Sequence, residues 1–141
     1  MTLKDINADI VIMNCQQAAE EETVIKQESP CGFYIKDEKI YIVYQEQEAH
    51  LAENVKTLIK IEKGNVKIRR SGTFCTTIKY EEGKKDNFSY IMPYGVLHME
   101  VNTAKVVCDF DENGGKFYLE YELKVNGDQT LNRLTAEVKM R

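Results

Sequence analysis

The chain reads as an all-β protein, an antiparallel barrel or sandwich, on three observations. Val, Ile, Thr, Phe and Tyr outnumber Ala and Leu three to one, and branched and aromatic side chains suit a pleated, half-buried surface whereas Ala and Leu suit helices. Short apolar runs recur along the chain with turn residues between them about every 8–15 positions. The last forty residues contain an unambiguous hairpin signal. The 141 residues are the length of one domain and suffice for an independent core.

Taken in order, the predicted strands are Asp9–Gln17, Thr23–Glu28, Gly32–Lys36, Lys39–Glu46, Val55–Glu62, Val66–Arg70, Thr73–Tyr80, Asn87–Ile91 and Val96–Phe110, followed by the two arms of the final hairpin. The first two are separated by Glu20-Glu21-Glu22, a solvated turn. Asp37-Glu38 turns the chain between Lys36 and Lys39. From Val55 onward the pattern is strand-like, although Leu51, Val55, Leu58 and Ile59 also fit one face of a short helix starting near Ala49. Lys63-Gly64-Asn65 follows, and Gly64 is expected at the first central position of a type II′ turn. Gly83-Lys84 and Asn113-Gly114-Gly115 supply further turns. Val96–Phe110 is long for one strand. Its apolar phase slips at Thr103-Ala104, which predicts a bulge or bend there. Phe117, Leu119, Tyr121, Leu123 and Val125 alternate with polar residues and so share a face. Asn126-Gly127 then offers two residues tolerant of positive φ, as a type I′ turn requires. Leu134, Ala136, Val138 and Met140 return in alternation, with Leu131 out of phase and a bulge expected beside it.

Two strands, Ile10-Val11-Ile12-Met13 and Ile40-Tyr41-Ile42-Val43-Tyr44, are apolar on both faces, where a free barrel wall should keep one face wet. Either another segment or a second copy of the chain is expected to cover them.

The net charge of −4 and pI near 5.3 argue against the broad basic surface that a phosphate backbone demands. No apolar run reaches the length of a membrane span, and Met1–Asp9 has no apolar signal-peptide core. Cys15, Cys31, Cys75 and Cys108 form no C-x-x-C pair, so free thiols used as small core hydrophobes in a reducing cytoplasm are expected. The two histidines, His50 and His98, are too far apart in sequence to suggest a metal site. No phosphate-binding glycine motif is present, and nothing in the spacing selects a Ser or Cys as partner of His98.

One constellation stands out. Arg70 shares the phase of Val66 and Ile68, so it either ends its strand at a barrel rim in an ion pair or turns inward to anchor an anion. Lys67 and Arg69 face the other way, without the interleaved aromatics of an RNA track. On the strand from Ile40, Tyr44 and Glu46 share the apolar phase, and Glu46 would suit Arg70 as a partner. Met92-Pro93-Tyr94-Gly95 puts an aromatic between Pro and Gly, as a turn residue or at a pocket mouth. Arg70, Glu46, Tyr44 and Tyr94 are therefore expected to converge at one end of the barrel. His98 and Glu100 are expected on its outer face.

The segments Tyr41-Ile42-Val43-Tyr44-Gln45-Glu46, Ile68-Arg69-Arg70-Ser71-Gly72, Pro93-Tyr94-Gly95 with Thr103 after it, and Tyr121-Glu122-Leu123-Lys124-Val125-Asn126 occur in this order. Together they resemble the YwiB-like family of uncharacterised bacterial proteins over about Ile10 to Val138. The resemblance implies a calycin-like, lipocalin-type β-barrel, here of about eight to ten strands in a single domain, and carries no established activity or catalytic residue. Met92 stands where the resemblance leads one to expect Thr. The reading is a cytoplasmic small-ligand-binding or accessory protein. Its expected partners are a small apolar or anionic ligand and a second copy of the chain, with no cofactor, metal, nucleic acid or membrane. The alternatives are a structural or protein-interaction module whose barrel is filled by side chains, and an enzyme.

Overall fold

Alternation of apolar and polar residues gives ten strands joined by tight turns: β1 (Ala8–Ala18), β2 (Glu21–Lys36), β3 (Lys39–Gln45), β4 (Lys56–Glu62), β5 (Asn65–Ser71), β6 (Thr76–Glu81), β7 (Lys85–Met92), β8 (Gly95–Asp111), β9 (Gly114–Val125) and β10 (Asp128–Met140). They were read from a computed structural model that describes residues 6–45 and 55–141. All ladders are antiparallel and the strand order is β6-β5-β4-β3-β2-β1-β10-β9-β8-β7. The sheet curls into a nearly closed barrel whose seam lies between β6 and β7. There Cys75 and Ile91 exchange backbone hydrogen bonds of 2.9 and 2.8 Å, and the Gly83 amide donates to the Thr103 carbonyl at 2.8 Å.

Thr23–Glu28 and Gly32–Lys36 are one strand, not two. β2 pairs with β1 as far as Cys31 and with β3 from Gly32, and Pro30, which has no N–H to give, sits at this change of partner. The Asn7 side chain fills the gap so created: its Nδ2 donates to the Phe33 carbonyl (2.9 Å) and its Oδ1 accepts from the Phe33 amide (2.8 Å). Beside it, Arg141 grips Asp9 with two hydrogen bonds of 3.1 and 2.9 Å. The guanidinium holds the Asp9 carboxyl below its usual range.

The slip in β8 is a register shift between Thr103 and Lys105, and the Asn126-Gly127 turn has both residues at positive φ (51° and 83°). One turn and one bulge expectation are corrected. Glu62 pairs with Asn65, so Gly64 is the second residue of a two-residue turn, with φ 84° and Lys63 before it. This is the type II position for glycine, not the type II′ one. β10 pairs without interruption from Asp128; Leu131 makes no bulge and points outward, 55% exposed. Of the cysteines only Cys31 is a core residue, while Cys15 and Cys75 are half-buried and Cys108 is exposed. All four are free thiols. On the outer side of β3, Val43 is 2% exposed within the single chain and Tyr41 is half-buried. The helix alternative near Ala49 lies outside the described residues.

The core is the barrel interior. Ala8, Ile10, Ile42, Ile59, Val66, Phe117, Leu119 and Ala136 are all buried there. Phe33, Phe110 and Phe117 pack at centroid distances of 5.9 and 6.4 Å.

Candidate functional site

Register determines what lies side by side inside the barrel. Ile42, Ile59, Ile68 and Ile78 are consecutive partners across β3 to β6, and the next inward row on the same strands is Tyr44, Thr57, Arg70 and Thr76. An apolar belt is thus followed by a polar one. A second polar row crosses the opposite wall, through Thr103, Tyr121, Asn132 and Gln16. The two walls meet where Tyr80 packs on Tyr121 with ring centroids 4.7 Å apart.

Tyr80 and Tyr121 share a hydrogen bond, and Asn14 is a second hydrogen-bond partner of Tyr121. Burial pushes both phenols above their ordinary range, Tyr80 well above it. The Arg70 charge faces both and draws them back without overcoming burial. Both are therefore protonated at neutral pH and act as donors.

Arg70 and Tyr44 line an interior cavity of about 140 Å³ together with Asn14, Gln27 and the side chains of Ile12, Ile25, Ile59, Ile68, Phe117 and Leu134. It is close in size to the roughly 150 Å³ apolar cavity that accepts benzene. The only charge among its described lining residues is the Arg70 guanidinium. The Asn14 Oδ1 is buried and has no hydrogen-bond partner, as do the Thr76 and Thr103 hydroxyls and the Asn132 Oδ1. Unsatisfied buried polar atoms are uncommon, and in a polar cavity they are the places where water or a ligand binds. Two larger hollows of about 340 Å³ each lie on the outside. One is on the wall around Glu120, Arg133 and Cys15, and the other is at the seam around Arg69, Thr77 and Ser89. Both are lined mainly by outward-facing residues, with Arg70 and Thr76 also bordering the one at the seam.

Of the four residues expected to converge, the structure brings Arg70 and Tyr44 to one cavity. It does not bring Tyr94, which is 85% exposed. Met92 pairs with Gly95, so Pro93 and Tyr94 form the tip of the β7–β8 turn and the ring points away from the interior. Glu46 lies outside the described residues. Asn14, Tyr80, Tyr121, Thr57 and Thr76 were missed. A signal existed for Thr57 and Thr76: on each strand from β3 to β6, one inward-phase polar residue (Tyr44, Thr57, Arg70 or Thr76) adjoins an isoleucine of the belt. Ser89 hydrogen-bonds His98 at 3.1 Å, exposed on the outside of the β7–β8 hairpin.

Against this geometry the known proteins can be compared. The profile of a domain of unknown function (DUF1934) matches residues 10–135. The chain belongs to this family. One relative, the uncharacterized beta-barrel protein YwiB of Bacillus subtilis (strain 168), is 30% identical over 97 residues, spanning 69% of this chain and 67% of the relative. The crystal structure of ywiB protein from Bacillus subtilis matches with a TM-score of 0.88 at 24% identity, covering 96% of this chain and 92% of that one. The DUF1934 fold is therefore an all-β barrel of ten antiparallel strands here, consistent with a calycin-like description, and it carries no established activity. Among the described residues no helix is long and apolar enough to cross a membrane.

Proposed function

We propose that this DUF1934 barrel is a binding protein for a small carboxylate held in its interior. The observation that carries the reading is the inward Arg70 guanidinium. It stands at the wall of a cavity of about 140 Å³ beside Tyr44 and next to an apolar belt. The five forked N–H donors of a guanidinium match a carboxylate and can serve one beside other partners. The apolar lining suits a tail of a few carbons. A cytoplasmic setting belongs to the same proposal, supported by four free thiols.

Titration with 3-methylbutanoate tests it. The natural chain is expected to give saturable binding heat, and Arg70→Met to give none while keeping the β-sheet circular dichroism spectrum. Absence of binding by the natural chain at millimolar acid would overturn the proposal and leave a barrel filled by its own side chains. In that case Arg70→Met should be as stable as the natural chain or more so. A second copy of the chain would cover the outer side of β1, where Met13 is 43% exposed. Sedimentation showing only a 16.3 kDa species would remove that partner.

A further inference from the structure

The barrel wall itself opens at the seam. Cys75 and Ile91 exchange two backbone hydrogen bonds at one end of it, and the Gly83 and Lys84 backbone bonds to Thr103 at the other. Between these points β6 and β7 share no ladder among the described residues, and the gap is the hollow of about 340 Å³. Arg69 and Thr77 are a cross-strand pair on its outer face. Asn87 and Ser89 face outward from β7, on either side of the buried, inward Phe88, as period-two alternation requires. Thr76 borders the same hollow from the inner face. It is only 4% exposed, and its hydroxyl is buried without a hydrogen-bond partner. Buried hydroxyls are rarely left so unless water or a ligand meets them.

The chemistry of this gap is that of an anion site. No carboxylate is among its described lining residues. The Arg69 guanidinium brings five donors, and the hydroxyls of Thr76, Thr77 and Ser89 and the Asn87 amide add more. Nothing is asked of Arg70, which borders the hollow but has interactions of its own. The outer wall beside the gap is basic. Lys60, Lys67 and Lys79 stand directly opposite one another across β4, β5 and β6, with Lys67 two residues from Arg69. Glu62 and Glu81 bridge the flanking two, at 2.9 and 3.4 Å. Like charges directly opposite are destabilising, and an anion close by offsets that cost. A phosphoryl group, with three terminal oxygens, uses a guanidinium fork and several hydroxyls at once, where a planar carboxylate offers two oxygens. Phe88 and Ile91 give the hollow one apolar side, which suits a carbon substituent on the fourth oxygen. We propose that the seam hollow binds a phosphate monoester, its phosphoryl group on Arg69 and the two threonine hydroxyls and its apolar substituent against Ile91.

Phenyl phosphate, inorganic phosphate and phenol, each titrated into the isotope-labelled full chain and followed by amide chemical shifts, provide the test. Phenyl phosphate is expected to saturate at millimolar concentration, to bind more tightly than either of the others, and to move the amides of Thr77, Asn87 and Ser89. Arg69→Met should weaken it about tenfold or more, the worth of hydrogen bonds to a charged group, and Thr76→Val should weaken it severalfold. Lys67→Met, which removes only a screened charge, should cost about twofold. Failure of phenyl phosphate to saturate would overturn the proposal. So would inorganic phosphate or phenol binding as tightly, shifts confined to Asn14 and Gln27 of the interior cavity, or a loss on Lys67→Met as large as that on Arg69→Met. Arg69 faces away from the interior cavity, so a failure here leaves the carboxylate reading standing, and the reverse. Arg69 and Lys67 are exposed, so their variants and the three probes decide the matter even if Thr76→Val does not fold.

Discussion

Cys31 shows how one residue reports on its surroundings. It faces inward opposite Ala8 and is fully buried. Burial, assisted by the Asp9 charge, pushes its thiol up to about 12. An unfolded chain would release that proton near pH 9, so the native state holds it more tightly from there upward. Stability is therefore expected to be intact below pH 9 and to fall between pH 9 and 12, by about 1.4 kcal/mol per pH unit once the unfolded thiol is ionised. Urea unfolding midpoints measured from pH 8 to 11 check this. Cys31→Ala should make the curve shallower up to about pH 10, the ordinary tyrosine range, leaving the loss from Cys108, whose thiol burial also pushes up. Above it Tyr80 and Tyr121, both raised by burial, add a loss of the same sign. A natural chain with a flat profile to pH 11 would contradict the burial of all three groups.

Among the elements, the hairpin turns differ in how well their residues suit their backbones. Asn126-Gly127 joins β9 to β10 with both residues at positive φ, and a Cβ on Gly127 would touch nothing within 4 Å. Gly127→Val is thus expected to cost about 1–2 kcal/mol through backbone strain alone; an unchanged melting midpoint would refute that turn geometry. Asp37 and Glu38 hold the equivalent positions between β2 and β3, at φ 52° and 66°, without a glycine. Glu38→Gly should relieve strain and raise stability by about 1 kcal/mol, some 3–4 °C in melting midpoint. These elements also show what could be read in advance. Strands and turns were legible because side chains alternate with period two and turns demand residues tolerant of positive φ. The β8 slip was legible for the same reason. The joining of two segments into β2 was not, because Pro30 punctuates a strand that changes partner, and partners are not written in a local pattern. Likewise, the phase of Arg70 and Tyr44 placed them inside the barrel. Their company there depends on register between strands: it brought in Asn14 and Tyr121 and left Tyr94 on a turn tip.

On the scale of the whole molecule, the order of strands separates sequence from space in an unusual way. The first and last strands pair in the middle of the sheet, with Ala8 opposite Met140, whereas β6 and β7, neighbours along the chain, form the seam and share no ladder among the described residues. The β1–β10 ladder therefore joins segments far apart in sequence. Forming it requires closing a loop that holds the other eight strands, an entropic cost that slows the search for the native state. A circular permutant removes that requirement. Linking the two ends beside Ala8 and Met140 and opening the chain in the Glu82-Gly83-Lys84 turn turns every ladder into a hairpin between successive strands. The permutant should refold faster in stopped-flow experiments, with a small loss of equilibrium stability, because the seam it interrupts is held by few hydrogen bonds. The barrel is thus a simple meander whose start point has been moved halfway round, and the kinetic barrier attached to that start point is separable from the architecture.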